Sequence, residues 1–232
     1  MLLTLPIREV TAATPRARIV RIDLSGHAFE YAAGQAVLVA THGYGERRPY
    51  SLAGSPEDAR REGCLELLVG VDAEGATGAH LNLEVSQLLD VEGPLGTFIF
   101  PADPHERRFV FIAGGIGIAP LRAMLRHALT LPHRGVGLFY SVRTPEEFAY
   151  ERELRGLAER GEIELRQTVT RASDADWIGA RGRLRRDALK ELVHDPPALY
   201  FVCGPPTLVA DMPKLLEELG VPKARIRIEQ WG

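Results

Sequence analysis

The stretch from Phe109 to Pro120 constrains this chain more than any other. Phe109–Ala113 (FVFIA) reads as a buried strand. It runs directly into Gly114-Gly115-Ile116-Gly117-Ile118-Ala119-Pro120, and Pro120–Leu129 reads as a helix with proline in its first turn. Glycines at that junction let the backbone approach a pyrophosphate. The helix start adds free N–H groups and a partial positive charge. The spacing departs from GxGxxG, so the motif by itself also fits a tight strand-to-helix turn.

The chain beyond this helix repeats the same alternation. Val136–Tyr140, Ile163–Val169, Leu199–Cys203 and Arg225–Glu229 read as strands, and Glu146–Arg160, Arg185–Val193 and Pro206–Leu219 as helices. That order implies a parallel sheet with helices on both faces. The N-terminal part has a different character. Arg18–Leu24 (RIVRIDL) alternates charged and apolar side chains, and Ala36–Ala40, Leu65–Val71 and Phe98–Phe100 are short strand candidates. Glycine and proline fill the gaps at Gly43–Gly45, Ser55–Pro56, Gly93–Pro94 and Gly96, and one helix is expected at Gly78–Leu83. Short, frequent strands point to a small antiparallel barrel. The change of character at Pro101-Ala102-Asp103-Pro104 places a boundary between domains at 1–103 and 104–232.

Composition narrows the function classes. A net charge of −3 gives no global basic field for nucleic acid. Two cysteines, Cys64 and Cys203, cannot supply the four thiolates of an iron–sulfur cluster, and the histidines show no zinc-ligand spacing. No apolar run has the length of a membrane span, and Met1–Pro6 lacks the length and basic flank of a signal peptide. Cytoplasmic residence with reduced thiols is the expectation.

Two further motifs carry chemistry. In Arg48-Pro49-Tyr50-Ser51, an extended backbone sends Arg48 and Tyr50 to one face and Ser51 to the other. A guanidinium suits a phosphate, a phenol a flat ring and a hydroxyl a ring nitrogen, although the tetrapeptide alone also fits an ordinary edge strand. Cys203-Gly204-Pro205-Pro206 ends a parallel strand at the edge where such sheets bind ligands; a buried core cysteine is the competing reading, and Cys64 is assigned to it.

RPYS, then Gly75-Ala76-Thr77-Gly78-Ala79-His80-Leu81, then GPLG, then GGIGIAP, then CGPP, in this order and over nearly the whole chain, resembles the ferredoxin–NADP reductase superfamily. The resemblance implies an antiparallel flavin-binding barrel followed by a parallel-sheet nicotinamide domain. It implies Arg48 on the flavin phosphates, Tyr50 packed on the isoalloxazine and Ser51 near its N5. Gly75, Ala76, Thr77 and Gly78 fall in the segment whose helix start holds the flavin pyrophosphate. That segment favours FAD over FMN, although Gly78 stands where relatives often carry serine and Gly70 where they carry a cation. Gly114, Gly115, Gly117 and Pro120 match the dinucleotide loop, and Cys203, Gly204 and Pro205 the edge beside the nicotinamide. Trp231 is either the aromatic that covers the flavin in several members or a packing residue on the last strand, with Glu229 its polar neighbour. Ser51, Cys203 and Glu229 form the catalytic set.

Coenzyme choice rests on the arginines. Arg143, Arg171 and Arg183 stand where NADP-using relatives carry theirs, Ser141 adds a hydroxyl, and Tyr150 is placed to stack on adenine. NADPH is therefore favoured over NADH, with Glu146 and Glu147 the nearest acidic alternatives. The implied reaction is hydride transfer from NADPH, docked across the domain cleft, to flavin N5. Single electrons then pass to a separate acceptor such as a ferredoxin, a flavodoxin or an oxygenase component. An electron-transfer subunit of a larger complex, and a flavin- or nucleotide-binding module without turnover, are the alternatives.

Overall fold

The computed structural model describes residues 1–171, 177–184, 186–191, 193 and 197–230. The chain divides into two units, Met1–Phe100 with Arg122–His127, and Pro101–Leu121 with Ala128–Gly232.

The first unit contains β1 (Leu2–Thr14), β2 (Ala17–Asp23), β3 (Ala36–Thr41), β4 (Arg48–Ser51), α1 (Pro56–Glu62), β5 (Cys64–Gly70) and β6 (Leu88–Leu95). Every strand pair is antiparallel, in the order β4–β3–β6–β1–β2–β5. The two edges then meet: Leu52 bridges Leu67, and the Ala53 N–H donates to the Glu66 carbonyl at 2.8 Å. The sheet thus closes on itself, which removes its unpaired edges. Alternation places Val20, Ile22, Val37, Val39, Leu65 and Leu67 in the barrel core.

The second unit contains β7 (Arg108–Gly114), α2 (Ile118–Thr130), β8 (Gly135–Val142), α3 (Glu151–Glu159), β9 (Glu164–Val169), β10 (Ala180–Arg181), α4 (Arg186–Lys190), β11 (Ala198–Gly204), α5 (Pro206–Glu218) and β12 (Ile226–Gln230); the Arg122–His127 part of α2 belongs to the first unit. Its described strands form one parallel sheet ordered β10–β9–β8–β7–β11–β12. Strand β7 is buried on both faces. On one, Val110 and Ile112 join Val202, Met212 and Leu216 in a core; on the other, Phe111 stacks on Phe201 with centroids 5.3 Å apart. The winding reverses between β7 and β11, and that is where open parallel sheets bind ligands.

Several sequence expectations are corrected. No helix forms over Gly78–Leu83. The His80 carbonyl accepts from the Thr41 N–H at 2.8 Å and the Asn82 N–H donates to Thr41 Oγ1 at 2.8 Å, so β3 takes the groups a helical ladder needs. Phe98–Phe100 is not a strand: the Phe100 N–H donates to the Ala33 carbonyl, and the burial of both rings accounts for the apolar pattern. Gly93–Pro94 lies inside β6 rather than in a gap. Between Ala36 and Leu38 the register with β3 shifts, and a Cβ on Gly93 would come within 3.0 Å of Val37 Cγ1. Helix α3 begins at Glu151, not Glu146, after a short turn and a left-handed Tyr150 at φ 59°. Helix α4 spans Arg186–Lys190, within the longer helix expected over Arg185–Val193.

Ser55–Pro56, read as a gap, instead caps α1. The Asp58 N–H donates to Ser55 Oγ at 3.1 Å, the Ser55 N–H donates to Asp58 Oδ2 at 3.2 Å, and Gly63 ends the helix at φ 66°.

Candidate functional site

Two of the sequence motifs meet in the barrel. Strand β4 carries Arg48 and Pro49 exposed, Tyr50 half-buried and Ser51 buried. Opposite lies the 75–81 segment, shaped by Asp72, whose Oδ1 accepts from the Glu74 and Ala76 N–H groups at 3.1 and 2.8 Å. A side chain on Gly78 would stand 3.4 Å from Arg48 Nη1 and 3.0 Å from His80 Nδ1, so both groups crowd the same glycine. The Tyr50 phenol is 2.7 Å from His80 Nε2, and their rings stack with an interplanar angle of 17°. Gly75 holds φ 83° over the Arg18 guanidinium. The Thr77 hydroxyl is engaged with the carbonyls of Leu81 and Gly78.

The other two motifs meet at the sheet reversal. Cys203 pairs with Ala113 on one side and with Glu229 on the other. The glycines here divide by role. A Cβ on Gly117 would lie 2.5 Å from the Cys203 carbonyl oxygen, one on Gly114 2.7 Å from Pro205 Cδ, and one on Gly204 3.0 Å from the Gly114 backbone. These three exist so that two strand ends and their loops can touch. Gly115, at φ 54°, differs from them in having open space where a side chain would go. Its carbonyl accepts from the buried Tyr140 hydroxyl at 3.1 Å, and the Tyr140 oxygen in turn accepts from the Ala149 N–H at 3.2 Å, fixing the loop to the turn before α3. Pro120 is buried in the first turn of α2. Cys203 is fully buried, and burial, then Glu229, push its thiol well above the usual range, so it is a neutral thiol.

Comparison with known proteins decides what such a pair of sites belongs to. Residues 4–100 match the family described as oxidoreductase FAD-binding domain, and residues 111–214 the oxidoreductase NAD-binding domain. The chain is 33% identical to ferredoxin--NADP reductase B of Sorangium cellulosum, over 89% of this chain and 87% of that one. It is 26% identical to the anthranilate 1,2-dioxygenase electron transfer component of Acinetobacter baylyi, over 92% of this chain but only 62% of the relative. Among solved structures, the ferredoxin reductase in carbazole 1,9a-dioxygenase superposes with a TM-score of 0.85 at 25% identity, covering 100% of this chain and 70% of the other.

The chain belongs to the ferredoxin–NADP reductase superfamily. It is an FAD- and pyridine-nucleotide-binding oxidoreductase.

The barrel residues fit the flavin such a reductase carries. Ser51 Oγ and His80 Nδ1 are both buried, and neither has a hydrogen-bond partner among the described residues. Each such group costs free energy unless a ligand satisfies it. Arg48 pairs with the exposed Glu46 at 3.8 Å, and its own side chain is 55% exposed, so its guanidinium is available to a phosphate.

In the second unit the reductase's expected coenzyme residues gather unevenly. The Arg171 N–H donates to the Arg143 carbonyl at 2.7 Å, so these exposed arginines sit side by side at the ends of β8 and β9. Arg183 joins them through Gly182, whose N–H donates to the Val169 carbonyl at 2.8 Å. Ser141 is half-buried on β8 beside Gly114. Tyr150 is buried at the start of α3. Glu147 accepts from the Arg143 N–H at 3.3 Å, which puts a carboxylate at the same corner. Trp231 lies outside the described residues.

Sequence reasoning missed His80. A lone histidine in GAHL carries no motif, and its contact with Tyr50 spans thirty positions. It also missed Glu66, buried inside β5, where Arg122 at 2.7 Å and Arg21 at 3.0 Å neutralise it. Among the described residues, no helix is long and apolar enough to cross a membrane.

Proposed function

We propose that this chain is an NADPH-dependent flavin reductase that supplies single electrons to a separate protein. When bound, FAD would accept hydride from the nicotinamide and release electrons one at a time. In this reading residues 1–103 hold the flavin and residues 104–232 the coenzyme.

The chain's own residues bind and orient. Arg48 holds the flavin phosphates, Tyr50 packs on the flat ring, and Ser51 offers its unpartnered hydroxyl to the ring edge. Gly75, Ala76, Thr77 and Gly78 frame the pyrophosphate. On the coenzyme side, Gly115 leaves room for a pyrophosphate at the start of α2. Gly114, Gly117, Gly204, Pro205 and Pro120 shape that floor. Cys203 lies buried at the end of β11 beneath the proposed nicotinamide position as an uncharged thiol, with Glu229 one strand away. Arg143, Arg171 and Arg183, with Ser141, recognise a 2′-phosphate.

The convergence of Arg48, Tyr50 and the unpartnered His80 Nδ1, with the unpartnered Ser51 hydroxyl on the same strand β4, carries this reading. A ferredoxin, a flavodoxin or an oxygenase component is the proposed acceptor; relatives are named for the first and for dioxygenase electron transfer. One observation favours NADH as a second reading: Glu147 at the Arg143 corner is suited to a ribose hydroxyl. Visible absorbance of the oxygen-free protein, before and after NADPH and then NADH, tests both. Bleaching by NADPH at the lower concentration supports the first reading, and by NADH the second. A flavin that neither reduces would overturn the reductase assignment in favour of a binding module.

A further inference from the structure

We propose that His80 is itself a ligand of the flavin phosphates, with Nδ1–H donating to the phosphate that Arg48 holds while Nε2 fixes Tyr50; this deepens the flavin reading and rests on it. His80 is 4% exposed, and its two ring nitrogens have different fates. Nε2 is 2.7 Å from the Tyr50 phenol. Nδ1 is buried without a partner among the described residues and lies 3.0 Å from where a Gly78 side chain would begin.

The proton can be assigned. Burial, then the Arg48 guanidinium, lower the pKa of the imidazole below its ordinary value of 6.5, against Glu46, so the ring is neutral at pH 7. Burial raises the Tyr50 phenol, so it keeps its hydrogen. Between a phenol and a neutral imidazole, the phenol is the stronger acid and the imidazole the stronger base. Tyr50 therefore donates to Nε2, and Nδ1 carries the ring hydrogen. Nδ1–H and Arg48 Nη1 are then two donors on one glycine. An anion satisfies both, and a guanidinium beside a neutral N–H suits a phosphate oxygen. A side chain on Gly78 would press on Nδ1 at 3.0 Å, so the imidazole would have to give by a few tenths of an ångström. Thr77 does not take the role, because its hydroxyl is engaged with backbone carbonyls.

The test uses the full chain freed of flavin and titrated with FAD and with riboflavin, which lacks the phosphates. His80→Phe keeps a ring and removes both nitrogens. It is expected to weaken FAD about tenfold and riboflavin less than about twofold, as a lost hydrogen bond to a charged group would. His80→Asn, whose amide nitrogen replaces Nδ1, is expected to recover most of the FAD affinity, and His80→Gln, which replaces Nε2, to recover little. If His80→Phe does not fold, the Asn and Gln pair decides. In the FAD-loaded protein, phosphorus NMR should show a pyrophosphate resonance moved by His80→Gln and largely restored by His80→Asn. Equal weakening of FAD and riboflavin, unchanged FAD affinity, or an unmoved phosphorus spectrum would overturn the assignment and leave His80 as a support for Tyr50. An unsubstituted chain that takes up no FAD would instead overturn the flavin reading itself.

Discussion

The two units reach their binding sites by opposite means. In the barrel, side chains form the site: Arg48, Tyr50 and Ser51 come from β4 and His80 from the 75–81 segment, and two of their polar atoms are buried without partners among the described residues. In the parallel-sheet unit, backbone forms it. Gly114, Gly117 and Gly204 are packed against neighbouring chain so closely that a methyl group would collide. The same contrast runs through stability. The first unit carries the buried charge pair of Glu66 with Arg122 and a second pair of Asp58 with the half-buried Arg126; the second is held by a strand buried on both faces. The first site depends on particular functional groups. At the second, the close approach of neighbouring chain leaves Gly114, Gly117 and Gly204 no room for a side chain, while Gly115 faces open space.

The largest effect should come from breaking the buried pair. Arg122→Ala strands Glu66, 7% exposed, with only the half-exposed Arg21, and should cost about 3 kcal/mol in urea denaturation. A loss below about 1 kcal/mol would show that water or Arg21 rescues the carboxylate. Gly117→Ala should cost about 2 kcal/mol or more, because its methyl meets backbone rather than a movable side chain. Gly115→Ala, with a left-handed backbone but open space, should cost about 1 kcal/mol and weaken coenzyme binding more than it weakens the fold. Equal stability losses at the two glycines would erase the distinction between packing and binding positions.

Arg171→Ala tests whether the second unit also uses side-chain recognition. NADPH should weaken about tenfold and NADH hardly at all, read from flavin bleaching at graded coenzyme concentrations. Equal weakening of both would remove the 2′-phosphate role. The smallest effect concerns acid. Burial alone would raise the Asp58 carboxyl, but hydrogen bonds from Arg126, Ser55 and Arg61 and the charge of Arg126 override it and hold it well below the ordinary 3.8. Because the folded value is the lower one, this stabilisation is complete above the ordinary value and is lost as pH falls below it. Asp58→Asn should cost about 1 kcal/mol at pH 7 and flatten the acid limb of a stability–pH curve. An unchanged limb would assign acid sensitivity elsewhere.

Much of the fold is legible in residue order. The FVFIA strand, its glycine loop and the alternation beyond it are local patterns that burial reproduces, and β7, β8, β9 and β11 lie where periodicity puts them. The α1 cap is written there too, as a serine three residues before Asp58, but Ser-Pro marks a turn equally well. Gly78–Leu83 misleads for a physical reason: its backbone groups are claimed by Thr41, thirty-nine positions earlier than His80, and no local propensity encodes that competition. The candidate site is half legible. RPYS and the glycine loop stand out as short motifs, whereas His80 gains its role only from Tyr50 across the barrel.

By itself, then, the sequence determined the two kinds of sheet, the order of the motifs and the class of chemistry, because periodicity and glycine placement are properties of neighbouring residues. Only the tertiary structure decided which glycines serve packing and which leaves room for a ligand. It alone set Arg171 against Arg143 and put His80 on Tyr50 with one nitrogen unsatisfied. Those facts depend on strands brought together from distant parts of the chain, where a hydrogen bond or a missing Cβ acquires meaning only from what stands opposite.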